Sequence, residues 1–176
     1  MTPTKILIAG IGNIFLGDDG FGCAVAGRLA RRSLPDGARV IDFGIRSFDL
    51  AYALMDGYDV TILIDAVPRG GKPGTLYVIE PDLNELNEPG ARAMMIEAHT
   101  MNPMRVFNLV KSMGGELKRV LLVGCEPATL GPEEGQMGLS ETVAAVVDEA
   151  VEMVESLVGK IIGDQLTMSD KLPACR

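Results

Sequence analysis

Basic residues never gather in this chain. No basic stretch exceeds the pair Arg31-Arg32, and the net charge is −8 over 176 residues, with a pI near 4.7. Counterion release from a phosphate backbone needs clustered Lys and Arg, so nucleic acid is excluded as a partner. No apolar run approaches the ~20 residues that a bilayer-spanning helix requires, so no membrane role is expected. The N-terminus lacks a charged segment followed by a long apolar one, and Ile6-Leu7-Ile8-Ala9 reads as a first core strand. Cysteine is scarce: Cys23, Cys125 and Cys175 are odd in number and far apart, which fits a reducing cytoplasm and neither a disulfide framework nor a zinc knuckle. Repeats and low-complexity tracts are absent, and there is a single histidine, His99.

What is present is enough apolar material, 47% of the residues, for one proper core. A single domain is expected over 1–163, with a loose tail over 164–176 where the apolar pattern fades. Ile6 to Ile11 is continuous rather than alternating, the mark of a strand buried on both faces. A helix is predicted from about Asp19 to Arg32, with Phe21, Val25 and Leu29 on one face and Pro35-Asp36-Gly37 after it. Arg39 to Phe43 reads as a second strand, followed by a helix capped by Ser47 and running to Met55.

"VTILIDAV" (60–67) is rich in β-branched residues and reads as a third strand. Only the turn "PRGGKPG" separates it from Thr75 to Ile79, too short for a crossover helix, so strand four should run antiparallel. Asn102-Pro103 has the form of a cap followed by proline at the first helical position. Val120 to Gly124 is a fifth strand, and Ser140 should cap the longest helix, whose apolar face runs from Val143 to Ile161. The alternation predicts a three-layer α/β/α domain with a mostly parallel sheet. Ligands in such sheets bind beyond the carboxyl ends of the strands, which directs attention to the loops after strands one, three and five.

The first of these is "GIGNIFLGDDGFG", from Gly10. A dinucleotide fingerprint would need a third glycine where Phe15 stands, and a Walker loop would need Lys and Ser or Thr where Asp18 and Asp19 stand. Two carboxylates also repel phosphate. Asp18 fits the pattern of a helix cap, and Asp19 gains from the helix dipole. Asp65 closes an apolar strand, where an ionised carboxylate costs several kcal/mol unless a backbone cap, an arginine or a metal compensates it. His99 sits in a loop immediately before the capped helix at Asn102, a good place for a ligand. Two carboxylates and one imidazole form a mixed oxygen and nitrogen set suited to Ni, Zn, Mn or Fe rather than Ca or Cu(I). Cys125 and Glu126 form a rival set, with the thiol as nucleophile and His99 as base, although free cysteine is most often a buried and inert residue.

In order and spacing, "GIGNIFLGDDGFG", "ILIDAV", "EAHTMNP" and "LLVGCEPATLG" resemble the hydrogenase maturation proteases over roughly residues 5–157. The resemblance implies a phosphorylase/hydrolase-like sheet of order 2-1-3-5-4 with strand four antiparallel. It also implies a cytoplasmic, aspartic-type endopeptidase that trims the C-terminal extension of a nickel-loaded NiFe-hydrogenase large subunit precursor. Carried over residue by residue, the metal contacts are Asp19, Asp65 and His99, with Asp19 and Asp65 as the catalytic acids. Nickel would arrive with the precursor, and Zn or Cd would occupy the same site in vitro. The loops Pro81–Ala98 and Cys125–Gly138 are the expected surfaces for that partner. A thiol hydrolase using Cys125 and His99, and a metal-binding chaperone that never shortens the precursor, are the competing readings.

Overall fold

The computed structural model of the chain describes residues 2–84 and 101–169. Its sheet has the order β2-β1-β3-β5-β4, built from β1 (Ile6–Ile11), β2 (Ala38–Gly44), β3 (Val60–Ala66), β4 (Leu76–Ile79) and β5 (Val120–Cys125). Pairs β1·β2, β1·β3 and β3·β5 are parallel, and β4 runs antiparallel to β5. β1, β3 and β5 are buried along their whole length, as continuous apolar runs require when helices cover both faces.

Alternate side chains feed two cores. Ile6, Ile8, Ile62, Ile64, Leu121 and Val123 pack under α1 (Phe21–Leu29) and the long C-terminal helix. Leu7, Ala9, Leu63 and Leu122 pack under α2 (Ser47–Leu54) and α3 (Pro103–Ser112). The result is the expected three layers.

Strand four follows a short turn yet does not lie beside strand three. The turn passes over the end of β5, where Glu126 clamps it. The buried Glu126 carboxylate accepts from the Arg69 N–H at 2.9 Å, the Gly70 N–H at 3.1 Å and the Tyr77 hydroxyl at 3.0 Å. Arg69 in turn lies over the Tyr77 ring. Glu126 is thereby accounted for as a structural clamp.

Several local expectations shift. A 3-10 turn, Gly17–Gly20, precedes α1, and α1 ends at Leu29, before Arg31-Arg32. Ser47 is the first residue of α2 rather than its cap, which falls on Arg46 without a side-chain bond. Asn102 does cap α3, accepting from the Met104 N–H, and Ser140 accepts from the Val143 N–H. The segment after Ser140 is divided into α4 (Glu141–Ala144) and α5 (Val147–Ser169). Helix α5 continues past Gly163 to Ser169.

Candidate functional site

The strand order reverses between β1 and β3, and parallel sheets of this kind open a crevice at that point. Two tight backbone contacts bring the glycine loop into it. A Cβ on Gly10 would stand 2.4 Å from the Gly22 carbonyl oxygen, and one on Gly22 would stand 2.1 Å from the Ile64 oxygen and 2.3 Å from the Ile11 oxygen. Bare glycines therefore let the start of α1 rest directly on the ends of β1 and β3. Gly12, at φ 132°, leaves room for the backbone oxygen of Asp19, which a Cβ there would meet at 1.8 Å.

Asp19 sits in the 3-10 turn and is 2% exposed; its Oδ2 accepts from the Asn13 N–H at 2.8 Å. Asp65 is 3% exposed at the end of β3, in register with Gly124 of β5. The 3-10 turn packs against β3, so the two acids share one buried space. Burial pushes the Asp65 carboxyl up, and the neighbouring Asp19 charge pushes it further; a backbone bond at Ala66 works weakly in the other direction. None of the described arginines is bonded to Asp65, which leaves the pair as a place where a dication is electrostatically welcome.

His99 lies outside the described residues, as does the stretch 85–98. The chain on either side of that stretch belongs to the core under α2 and α3: Leu83 packs against it and Met101 is buried in it. By strand alternation Asp65 belongs to the same face of β3 as Leu63 and Val67, which line that core. Among the described residues, no group of three or more His, Cys, Asp or Glu side chains is disposed to hold a metal ion.

Asp18 differs from expectation. Helix α1 begins from Gly20 with no side-chain cap bond. Asp18 is instead fully buried and serves the loop after β5. Its carboxylate accepts from the N–H groups of Ala128, Thr129 and Ser140 and from the Ser140 hydroxyl, at 2.7–3.0 Å.

The rival thiol does not face the crevice. Cys125 is 0% exposed and belongs to the core under α1 and α5, on the far side of the sheet from Leu63. Burial, with help from the charges of Asp18 and Glu126, pushes its thiol up to about 12. A thiol in that state offers almost no thiolate at neutral pH, which counts against Cys125 as a nucleophile.

Two residues near the acids had escaped the sequence reading. Asp42, exposed at the end of β2, pairs in register with Gly10. The Cys23 thiol donates to the Gly12 oxygen at 3.4 Å; burial, then Asp42, Asp19 and Asp65, push it up to about 12. The signal for Asp42 was available: like Asp65, it is an acid closing a strand beside the glycine loop.

The sequence model for the hydrogenase maturation proteases matches residues 23–157, a span that begins just after Asp19 and contains Asp65 and His99. A candidate hydrogenase maturation protease of Methanocaldococcus jannaschii is 36% identical over 88% of this chain and 96% of its own. The hydrogenase 2 maturation protease of Escherichia coli is 30% identical over 85% of this chain and 88% of its own. Among solved structures, the hydrogenase maturating endopeptidase HybD from E. coli superposes with a TM-score of 0.73 at 27% identity, covering 89% of this chain and 93% of that one.

Proposed function

Because the chain belongs to the hydrogenase maturation protease family, whose members are peptidases, we propose that it removes the C-terminal extension from a nickel-loaded NiFe-hydrogenase large subunit precursor. The observation that carries this reading is the buried pair Asp19 and Asp65 at the reversal point of the sheet. Two acids kept out of water with no arginine bonded to Asp65 are costly to the fold, and such cost is typical of sites kept for chemistry.

The donor set fits a dication carried by the substrate. Asp19, Asp65 and His99 would hold it, and the ion would supply charge compensation and polarisation of the scissile carbonyl. Asp19 or Asp65 would serve as general base towards the attacking water, an effect typically worth ~10²–10⁴ in rate. Asp19 has one oxygen committed to the Asn13 N–H, which anchors its carboxylate to the glycine loop. Phe43, Val67 and Met101 are buried in the apolar core under α2 and α3, the core on the Asp65 face of β3. The setting is intracellular, where the precursor is made, and no described helix is long and apolar enough to cross a membrane.

The test is intact-mass measurement of a large subunit precursor incubated with this protein. Nickel-loaded precursor should lose a single C-terminal fragment, and the nickel-free form should stay whole. Pretreatment with iodoacetamide should leave cleavage within about twofold of the untreated rate, since Cys125 takes no part. Tight binding with no loss of mass would favour the chaperone reading, and loss of activity on Cys125→Ala would restore the thiol.

A further inference from the structure

Of the paired acids in the glycine loop, Asp18 has no part in the chemistry proposed above, yet four hydrogen bonds converge on its carboxylate. Asp18 Oδ2 accepts from the Ala128 N–H at 2.8 Å, the Thr129 N–H at 3.0 Å and the Ser140 hydroxyl at 2.9 Å, and its Oδ1 accepts from the Ser140 N–H at 2.7 Å. The backbone around it repeats the connection. Asp18 N–H donates to the Thr129 oxygen, Gly17 N–H to the Gln136 oxygen, and Gln136 N–H to the Phe15 oxygen. Gly131 lies so close to Leu16 and Gly17 that a Cβ on either glycine would be crowded by the other segment at 3.2 Å.

We infer that Asp18 is a positioning residue: it locks the loop after β5 onto the 3-10 turn and so fixes the Asp19 carboxylate opposite Asp65. Asp19 is held from two sides. Towards β1, the Asn13 N–H grips its Oδ2 and Gly12 makes room for its backbone oxygen. Towards β5, the only covalent neighbour with a side-chain anchor is Asp18, since Gly20 has none. The turn is short, with Asp19 N–H bonded to the Leu16 oxygen, so movement of Asp18 is transmitted to Asp19 with little slack. A carboxylate is needed because all of the partners at Asp18 are donors. An asparagine would aim its own NH₂ at one of them, leaving donor against donor in a buried place.

This inference rests on Asp19 and Asp65 being the reacting pair, so the experiment has one arm that needs no cleavage. In Asp18→Asn, kcat for nickel-loaded precursor should fall roughly 100-fold, the scale of a misplaced reacting group, with KM within about threefold. In the protein without precursor, the Asn13 amide proton should move upfield and lose exchange protection, while the amides of Leu63 and Val123 stay protected. Ser140→Ala, which removes the hydroxyl donor to Asp18 together with its cap on the Val143 N–H, should move both readouts the same way by less. Should Asp18→Asn fail to fold, Ser140→Ala decides by the same two readouts. A wild-type kcat with an unmoved Asn13 amide would overturn the inference, as would a rise in KM alone, which would assign Asp18 to the precursor-facing loop. If wild type cleaves nothing while the Asn13 amide still responds, the positioning stands and the proposed chemistry falls.

Discussion

Asp65→Asn should melt at a higher temperature than wild type in metal-free buffer at neutral pH, and should process precursor at least ~100-fold more slowly. Both effects have one origin. Asp65 is 3% exposed, and burial together with the Asp19 charge raises its proton affinity in the folded state. A group that binds its proton more tightly when folded contributes stability at low pH. That contribution is lost as pH rises from the ordinary carboxylate range through the raised folded value. Asparagine keeps the shape and removes the charge, so the variant's advantage should be widest at neutral pH and close at acid pH. Asp42 and the Cys23 thiol also face this space, but neither changes the sign: Asp42 adds negative charge, and the thiol stays protonated up to about 12. Melting curves with a chelator at several pH values check the stability arm, and precursor mass checks the activity arm. A variant that is less stable at neutral pH would show that Asp65 is paired in the folded protein.

The second large effect belongs to a glycine. Gly22→Ala should lower the melting temperature by about 10 °C, corresponding to ~3 kcal/mol or more in a protein of this size. The added methyl would stand 2.1 Å from the Ile64 oxygen, 2.3 Å from the Ile11 oxygen and 2.8 Å from the Ile11 nitrogen. All of these are backbone atoms of buried strands, so no side chain can swing away to relieve the contact. The helix must lift, and with it the 3-10 turn that carries Asp19, so cleavage should be lost even in the folded fraction. Gly27, in the same helix, has nothing within 4 Å of its would-be Cβ. Gly27→Ala should be neutral or gain up to about 1 kcal/mol from helix propensity alone. Equal effects at the two positions would mean that close approach at Gly22 does not set the helix height.

The strands were legible because their apolar runs are long and β-branched, and the antiparallel fourth strand followed from the length of "PRGGKPG" alone. That β4 sits beside β5 came from the family resemblance, and its local cause is the clamp at Glu126, whose partners lie 49–57 residues away in sequence. Asp18 misled for a related reason. Its position directly before a helix matches a cap, but its partners are 110–122 residues distant, and no local pattern announces them. Cys125 was open to two readings because a strand apolar on every residue gives no sign of which face a given side chain takes. The helix after Ser140 kept its apolar stripe in sequence while dividing in the fold at Ala145 and Val146. Asp19 and Asp65 were legible as acids out of place, and their sharing of one buried space needed the fold. His99 rests on the resemblance and on the chemistry of the donor set.

The most direct test of that three-residue centre is anomalous diffraction from crystals soaked in Zn or Cd. The expected result is one dominant peak bonded to carboxylate oxygens of Asp19 and Asp65 and to an imidazole nitrogen of His99, at about 2.0–2.2 Å for Zn. The peak should vanish in Asp65→Ala crystals treated identically. A peak lying elsewhere, or one that persists unchanged without Asp65, would contradict the assignment of this acid pair as the metal-facing centre.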